Sequence, residues 1–137
     1  MRVVLDVNVL VSALISRGGA PARLLELWLD GGFDIVVSDA LLAELERTFV
    51  YTKVGRRVDA NDAARFVALI RELGEVVPDP DEAPPLRSRD AGDDYLFALA
   101  AHERVSLASG DEHLLSLADQ APVLSPREFL NLLLAQD

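Results

Sequence analysis

The sequence predicts an α/β fold, a single three-layer α/β/α domain spanning residues 1–137 around a central, mainly parallel sheet. Three observations point there. Short apolar, β-branched runs alternate with longer runs of helical periodicity along the whole chain. Glycine, proline or a capping polar residue stands at most of the boundaries between them. The chain has 137 residues, half of them apolar, which is about the size of one domain with a real core.

Taken in order, Val3, Val4 and Leu5 read as a buried strand and Val9, Leu10, Val11, Ala13 and Leu14 as the start of a helix, with Asp6 and Asn8 at the junction. Gly18 and Gly19 punctuate, and Pro21 opens a helix carrying Leu24, Leu25, Leu27, Trp28 and Leu29 that stops at Gly31 and Gly32. Phe33 to Val37 is short and β-branched, and Ser38 after it is a good N-cap for a helix over Asp39 to Phe49. Residues 60 to 73 put Phe66, Leu69, Ile70 and Leu73 on one helical face, followed by a short strand at Glu75 to Val77. Pro78 to Gly92, rich in Pro, Asp and Arg, is the one long loop, too short for a domain linker and of a length typical of functional loops. A helix over Asp93 to Glu103, a strand at Val105 to Ala108, a short helix over Gly110 to Leu117, a strand at Pro122 to Leu124 and a helix over Pro126 to Leu134 complete the chain. Trp28, Phe33, Phe49, Phe66, Phe97 and Phe129 follow apolar faces and belong to the core.

Strands that alternate with helices imply a parallel sheet covered on both faces, because each crossover returns right-handed over the sheet. Functional sites in such sheets lie at the carboxyl ends of the strands. Asp6, Ser38, Ser109 and Asp111, each just past a strand, are therefore expected to converge on one edge.

Composition narrows the chemistry. Without cysteine there are no disulfides, thiolate metal sites or cysteine nucleophiles, so a metal must be held by oxygen or by the two histidines. Mg²⁺ and Mn²⁺ are the natural candidates. No run approaches the roughly 20 apolar residues of a membrane span, and the N-terminus lacks a signal peptide's regions, so a soluble cytoplasmic protein with no membrane partner is expected. A net charge of −10, with 13 basic against 23 acidic residues, ordinarily argues against nucleic acid. Bound metal or a basic partner protein would use up part of that surplus.

Four acidic points stand out: Asp6 in "LDVN", Glu44 in "SDALLAEL", Asp93 and Asp94 in "RDAGDDYLFALA", and Asp111 in "SGDEHLL". Singly, Asp6, Asp93 or Asp94, and Asp111 have an ordinary explanation as N-caps worth about 1 kcal/mol. Glu44 and Glu46 both border the Leu41, Leu42, Leu45, Phe49 face, and the helical wheel does not choose between them. The topology, however, sends several of these carboxylates to the same sheet edge, where they repel unless a cation or protons intervene. A divalent metal is the economical solution, with Asn8 and Ser109 placed for supporting contacts or bound water.

The spacing and context resemble the PIN-domain nucleases, including the VapC-like toxins of bacterial toxin–antitoxin systems. "VVLDVNVLVSAL" is similar to that family's first motif, "SDALLAEL" to its second, "DDYLFALA" to its third and "LASGDEHLL" to its fourth, in the same order and over essentially the whole chain. The resemblance implies a sequence-tolerant, Mg²⁺- or Mn²⁺-dependent nuclease acting on single-stranded or structured RNA. It makes Asp6, Glu44, Asp94 and Asp111 the acidic quartet, with Asp6, Asp94 and Asp111 on the metal and Asn8, Ser109 and Asp93 supporting them. Asp94 is preferred over Asp90 and Asp93 because it leads directly into the Leu96, Leu99 helix. Many relatives carry Thr after the first Asp where this chain has Val7, while Asn8 keeps a polar group nearby. It also implies an antitoxin protein as partner. One or two metal ions would activate water and stabilise charge on the phosphate, so that the metal, not the acids, meets the RNA. Arg87 and Arg89 in the long loop, or Lys53, Arg56 and Arg57 between two helices, are candidates to grip the RNA backbone. His102 reads as a helix C-terminal or surface residue, and His113 as a surface residue or a neighbour of the metal. The leucines around Trp28 point in too many directions for one buried face, which suggests a homo-oligomer or a bound partner.

Three other readings compete. A haloacid-dehalogenase-type phosphatase wants a second Asp where Asn8 stands and a later Lys. A response-regulator receiver wants paired acids after the first strand and a Lys after the fifth; "LDVN" and the lysine-free C-terminal half supply neither. A PIN fold without catalysis, serving as a binding scaffold, is disfavoured by the retention of all four acidic points.

Overall fold

Val3, Val4 and Leu5 are apolar without alternation because their strand is covered on both faces: the first two are fully buried and Leu5 is nearly so. The computed structural model describes residues 1–51, 57–81, 94–119 and 121–136. Five strands, β1 (Arg2–Leu5), β2 (Asp34–Val37), β3 (Glu75–Val76), β4 (Ser106–Ala108) and β5 (Val123–Leu124), form one parallel sheet in the order β3-β2-β1-β4-β5. The chain builds outward from β1 in one direction, then returns to its other side for β4 and β5. The order therefore reverses between β1 and β4, and a crevice opens there at the strands' carboxyl ends.

Seven helices cover this sheet among the described residues: α1 (Val7–Ile15), α2 (Ala20–Leu29), α3 (Asp39–Tyr51), α4 (Ala60–Leu73), α5 (Asp94–Glu103), α6 (Glu112–Leu115) and α7 (Pro126–Leu134). Right-handed crossovers put α1 to α4 over one face and α5 over the other. In agreement, α2 packs on α1 and α7, α3 on α1 and α4, and α5 on β1 and β4. Phe33 meets Phe129 edge to face at 5.2 Å, fastening β2 to α7, and Phe49 meets Phe66 at 6.2 Å, fastening α3 to α4. All six aromatic residues assigned to the core are buried.

The element order matches expectation, and the boundaries differ where caps intervene. The helix expected over Gly110 to Leu117 is the single turn α6, because Asp111 is its N-cap. α7 has the expected bounds, set by Pro126 and by a capping box in which Ser125 and Glu128 bond each other's backbone. The leucine-rich α2 is the substantive difference. Leu24 and Trp28 are buried, Leu25 and Leu27 pack against the core, and only Leu29 among these residues is largely exposed, at 51%. With α1 and α7 both against it, α2 has more than one covered face, which removes the motive for expecting self-association there. Among the described residues no helix is long and apolar enough to cross a membrane.

At the amino edge of the sheet, Arg2 ties the edge strand to the opposite helical layer. Its guanidinium donates to both Glu75 carboxylate oxygens at 2.8 Å and to Glu103 Oε1 at 2.7 Å.

Gly74 caps α4 and starts the turn into β3. Its N–H donates to Ile70 O at 2.8 Å, and a Cβ there would stand 2.4 Å from that same oxygen. Gly74→Ala is therefore expected to destabilise the fold by about 1–3 kcal/mol through backbone displacement, read as a lower midpoint in denaturant unfolding with unchanged slope.

Candidate functional site

Asp6 is where the central strand becomes a helix. Its N–H donates to Ala108 O at 3.0 Å, extending the pairing of β1 with β4, and its carbonyl already accepts from Val9 and Leu10 as the N-cap of α1. The side chain is 5% exposed and fully engaged: Oδ1 accepts from Asn8 N–H at 2.8 Å and Oδ2 from the Ser109 hydroxyl at 2.6 Å. Register produces this meeting, because Leu5 stands opposite Ala108 and the next residue of each strand is Asp6 and Ser109. Ser109 is fully buried, and its oxygen accepts from Asp111 N–H at 3.0 Å. One hydrogen-bonded chain thus runs from the Asp111 backbone through the Ser109 hydroxyl to the Asp6 carboxylate.

Burial pushes the Asp6 carboxyl above its ordinary value; the bonds from Ser109 and Asn8 act against this, and the charge of Asp111 adds to it. Asp111 caps α6, with Oδ1 accepting from His113 N–H at 2.8 Å, and its other oxygen has no hydrogen bond among the described residues. Asn8, Asp111, Gly110, Pro21 and Pro126 line a cavity of about 220 Å³ beside this pair. The donors gathered here are hard oxygens, the set a Mg²⁺ or Mn²⁺ ion takes.

The remaining site residues are distributed less tightly. Asp94 is buried at the first position of α5, and since that helix runs back toward the start of β4, its N-terminus lies at the carboxyl edge of the sheet. Glu44 is half-exposed, and its Oε2 accepts from Arg47 Nη2 at 2.6 Å and Nε at 3.2 Å. Glu46 lines a groove with α4, and a step of two residues, about 200° around a helix, turns Glu44 away from that groove. Among the described residues no three acidic or histidine side chains come close enough to hold a metal ion by themselves. His113 is exposed, and His102 is exposed with Glu103 at 3.9 Å. Asp90, Asp93, Lys53, Arg56, Arg87 and Arg89 lie outside the described residues. Arg57 is exposed on the rim of a cleft between α1, α2 and α4.

One positioning residue escaped the sequence reading. Asp79, past β3, accepts from Ala40 N–H at 3.0 Å and so joins Ser38, whose hydroxyl accepts from Leu41 N–H at 3.4 Å, in capping α3. The start of the long loop is thereby tied to the helix bearing Glu44. The only signal was an aspartate following a strand.

The profile of the PIN domain family matches residues 2–113. An uncharacterized protein of Methanocaldococcus jannaschii is 24% identical over 140 residues, covering 95% of this chain and 90% of that protein. Similar solved structures include VapBC2 of Rickettsia felis bound to a DNA fragment from its promoter, at 15% identity and a TM-score of 0.65, covering 91% of this chain and 98% of that one. VapBC-1 of nontypeable Haemophilus influenzae is similar at 15% identity and a TM-score of 0.63, covering 93% and 99%. FitAcB of Neisseria gonorrhoeae is similar at 17% identity and a TM-score of 0.62, covering 91% and 98%.

The raised Asp6 carboxyl has a stability consequence with a definite sign. Between the unfolded carboxyl value and the higher folded one, the native state binds the extra proton, so stability falls as pH rises through that window. Asp6→Asn removes the buried charge, and the metal-free variant is expected to melt no lower than wild type at pH 7, its advantage shrinking as the pH falls toward the unfolded carboxyl value. Thermal unfolding in chelator across that range checks this; a variant that melts well below wild type at pH 7 contradicts it.

Proposed function

The chain belongs to the PIN domain family, and from that membership we propose that it is a Mg²⁺- or Mn²⁺-dependent endoribonuclease, working in the cytoplasm as the toxin of a toxin–antitoxin pair. PIN domains are generally nucleases, which supports a phosphodiester hydrolase. The likeness in fold to VapBC complexes supports an antitoxin protein as partner.

The observation that carries the metal reading is the Asp6 carboxylate, buried at the switch point and repelled by Asp111. A cation between them would relieve that repulsion. Asp6, Asp94 and Asp111 are the residues that would hold it, with Glu44 acting through water. When bound, the ion supplies a more acidic water and neutralises charge on the phosphate and the departing 3′ oxygen. The chain's own part is to fix the acids. Ser109 and the Asn8 backbone orient Asp6, and Ser109 couples it to the Asp111 turn. The Asn8 side chain stands beside the cavity at Asp111, where it can orient a water or a phosphate oxygen. Arg87 and Arg89 are proposed to contact the RNA backbone, with Asp93 supporting Asp94.

A specific observation favours a second reading, a PIN fold that binds without cutting: Glu44 is paired with Arg47, and the described residues gather no three-carboxylate group. A cleavage assay separates the two. Wild type with Mn²⁺ is expected to cut single-stranded RNA, and Asp6→Asn to lose nearly all of that activity, together with most of the Mn²⁺ affinity measured by calorimetry, while Glu44→Gln loses less affinity. Equal Mn²⁺ affinity in wild type and Asp6→Asn, or full cleavage by Asp6→Asn, would falsify the metal-nuclease reading built on Asp6, and no cleavage by wild type with Mn²⁺ decides for the fold that binds without cutting.

Substrate grip is separable from chemistry. Neutralising Arg87 and Arg89 together is expected to weaken RNA binding and to reduce its logarithmic salt slope by about 1.4, at roughly 0.7 per phosphate contact on a single strand. Binding isotherms at several salt concentrations measure this, and an unchanged slope moves the grip to other basic residues.

A further inference from the structure

The match to the family profile ends at residue 113, and the last strand and helix lie beyond it. β5 pairs in parallel with β4, with Ala108 opposite Leu124, so Ser109 and Ser125 are the next residues of neighbouring strands at the carboxyl edge. Ser109 N–H donates to Leu124 O at 2.9 Å and holds the two strand exits together. Pro126 then joins Asn8, Pro21, Gly110 and Asp111 in the wall of the cavity of about 220 Å³ beside Asp6. That wall is open at Gly110, where a Cβ would meet nothing within 4 Å. Arg127 follows as the second residue of α7. Among the described arginines it alone comes directly after a residue that lines this cavity.

Folding does not account for an arginine there. Arg2, Arg23, Arg47 and Arg71 are each paired with a carboxylate of the chain itself, whereas Arg127 is exposed and makes no ion pair or side-chain hydrogen bond among the described residues. Its neighbour Glu128 is taken up by the capping box, accepting from Ser125 N–H at 3.0 Å. The first turn of a helix is also where the macrodipole disfavours a cation. A free guanidinium beside a cavity that carries the Asp111 carboxylate suits a ligand with charge to place at two points. Consecutive phosphates of one strand do this, one at the hard oxygens that would hold a metal and its neighbour on the arginine.

We propose that Arg127 holds the RNA backbone at a phosphate flanking the one that is cut, laying the strand across the cavity between Asp111 and α7. The assignment rests on the nuclease reading and adds to it a substrate contact from outside the residues that the family profile matches. Arg127 positions the strand and takes no part in bond breaking.

The test compares wild type, Arg127→Gln, Arg127→Lys and Arg104→Gln as full chains. Arg104 is the control: it follows α5 at the opposite, amino edge, is exposed, and also has no partner among the described residues, so its loss changes net charge equally. Binding of a fluorescent oligouridylate is measured in chelator at several salt concentrations, and Mn²⁺-dependent cleavage of the same strand is measured separately. Arg127→Gln is expected to reduce the logarithmic salt slope by about 0.7, the share of one contact on a single strand, and to raise KM several-fold with kcat nearly unchanged. Arg127→Lys keeps the slope, and Arg104→Gln leaves slope and KM at their wild-type values. Arg127→Gln melts no lower than wild type, because a cation leaves the helix start. An unchanged slope in Arg127→Gln, an equal fall in Arg104→Gln, or an effect on kcat alone overturns the proposal. Wild type that binds oligouridylate without cutting it strikes the nuclease reading instead, while the slope still decides whether Arg127 makes the contact.

Discussion

A carboxylate held out of water at the end of the central strand is the constraint that the carboxyl edge of this protein is organised around. Asp6 occupies the place where β1 stops pairing with β4 and α1 begins, so its backbone serves two structures at once. Taking a charged group into that position is costly unless hydrogen bonds replace the lost water. Three features supply the replacement: the Asn8 N–H, the Ser109 hydroxyl, and the positive end of α1. The first and third are local to the start of α1, and the Ser109 hydroxyl alone depends on the register of β1 against β4. A slip of one residue would turn Ser109 from Asp6 and bring a different face of the strand into the core, so the packing of Val3, Val4 and Leu5 and the placement of the acid are secured by the same pairing.

The two edges of the sheet treat charge in opposite ways. At the amino edge Arg2 lies between Glu75 and Glu103, and hydrogen bonding to it holds Glu75 below the ordinary carboxylate value. Nothing outside the chain is needed there. At the carboxyl edge Asp6 is raised, Asp111 repels it, and the hydrogen bonds only partly offset burial. A carboxyl perturbed by burial and by a nearby charge, beside a cavity, is a candidate functional position. The contrast within one sheet is stronger ground than either edge alone, since the same backbone provides the internal comparison.

Much of this was legible in the sequence because the punctuation is local. Pro21 and Pro126, and the aspartates at positions 6 and 111, mark helix starts by mechanisms confined to a few residues. What sequence could not decide was whether Asp6 and Asp111 are caps or functional acids, and the geometry explains why. Capping uses one carboxylate oxygen, Oδ1 in both residues, and leaves the second free for Ser109 in one case and for solvent in the other. The two readings share one residue type at one position and are not alternatives. The choice between Glu44 and Glu46 was closed for another reason: it depends on where α4 packs, which no pattern within α3 encodes. The leucines of α2 do point in more than one direction, and the sequence around them does not reveal that α7, about a hundred residues later, covers part of them.

The same limit applies to charge. A net value of −10 describes the field seen from a distance, yet at contact range it is local balance that selects a ligand, because screening removes most interactions beyond about 8–10 Å. Arg17, Arg57 and Arg65 come from three separate segments of the chain, and only the packing of α1 and α2 beside α4 makes them neighbours. Asp6 and Asp111 are likewise brought together by the β1–β4 pairing across a hundred residues. An acidic protein can therefore bury one carboxylate near another at the carboxyl edge and, on another surface, gather arginines that make no ion pair among the described residues. The overall charge then governs how partners approach, while the fold decides where each sign is left unsatisfied.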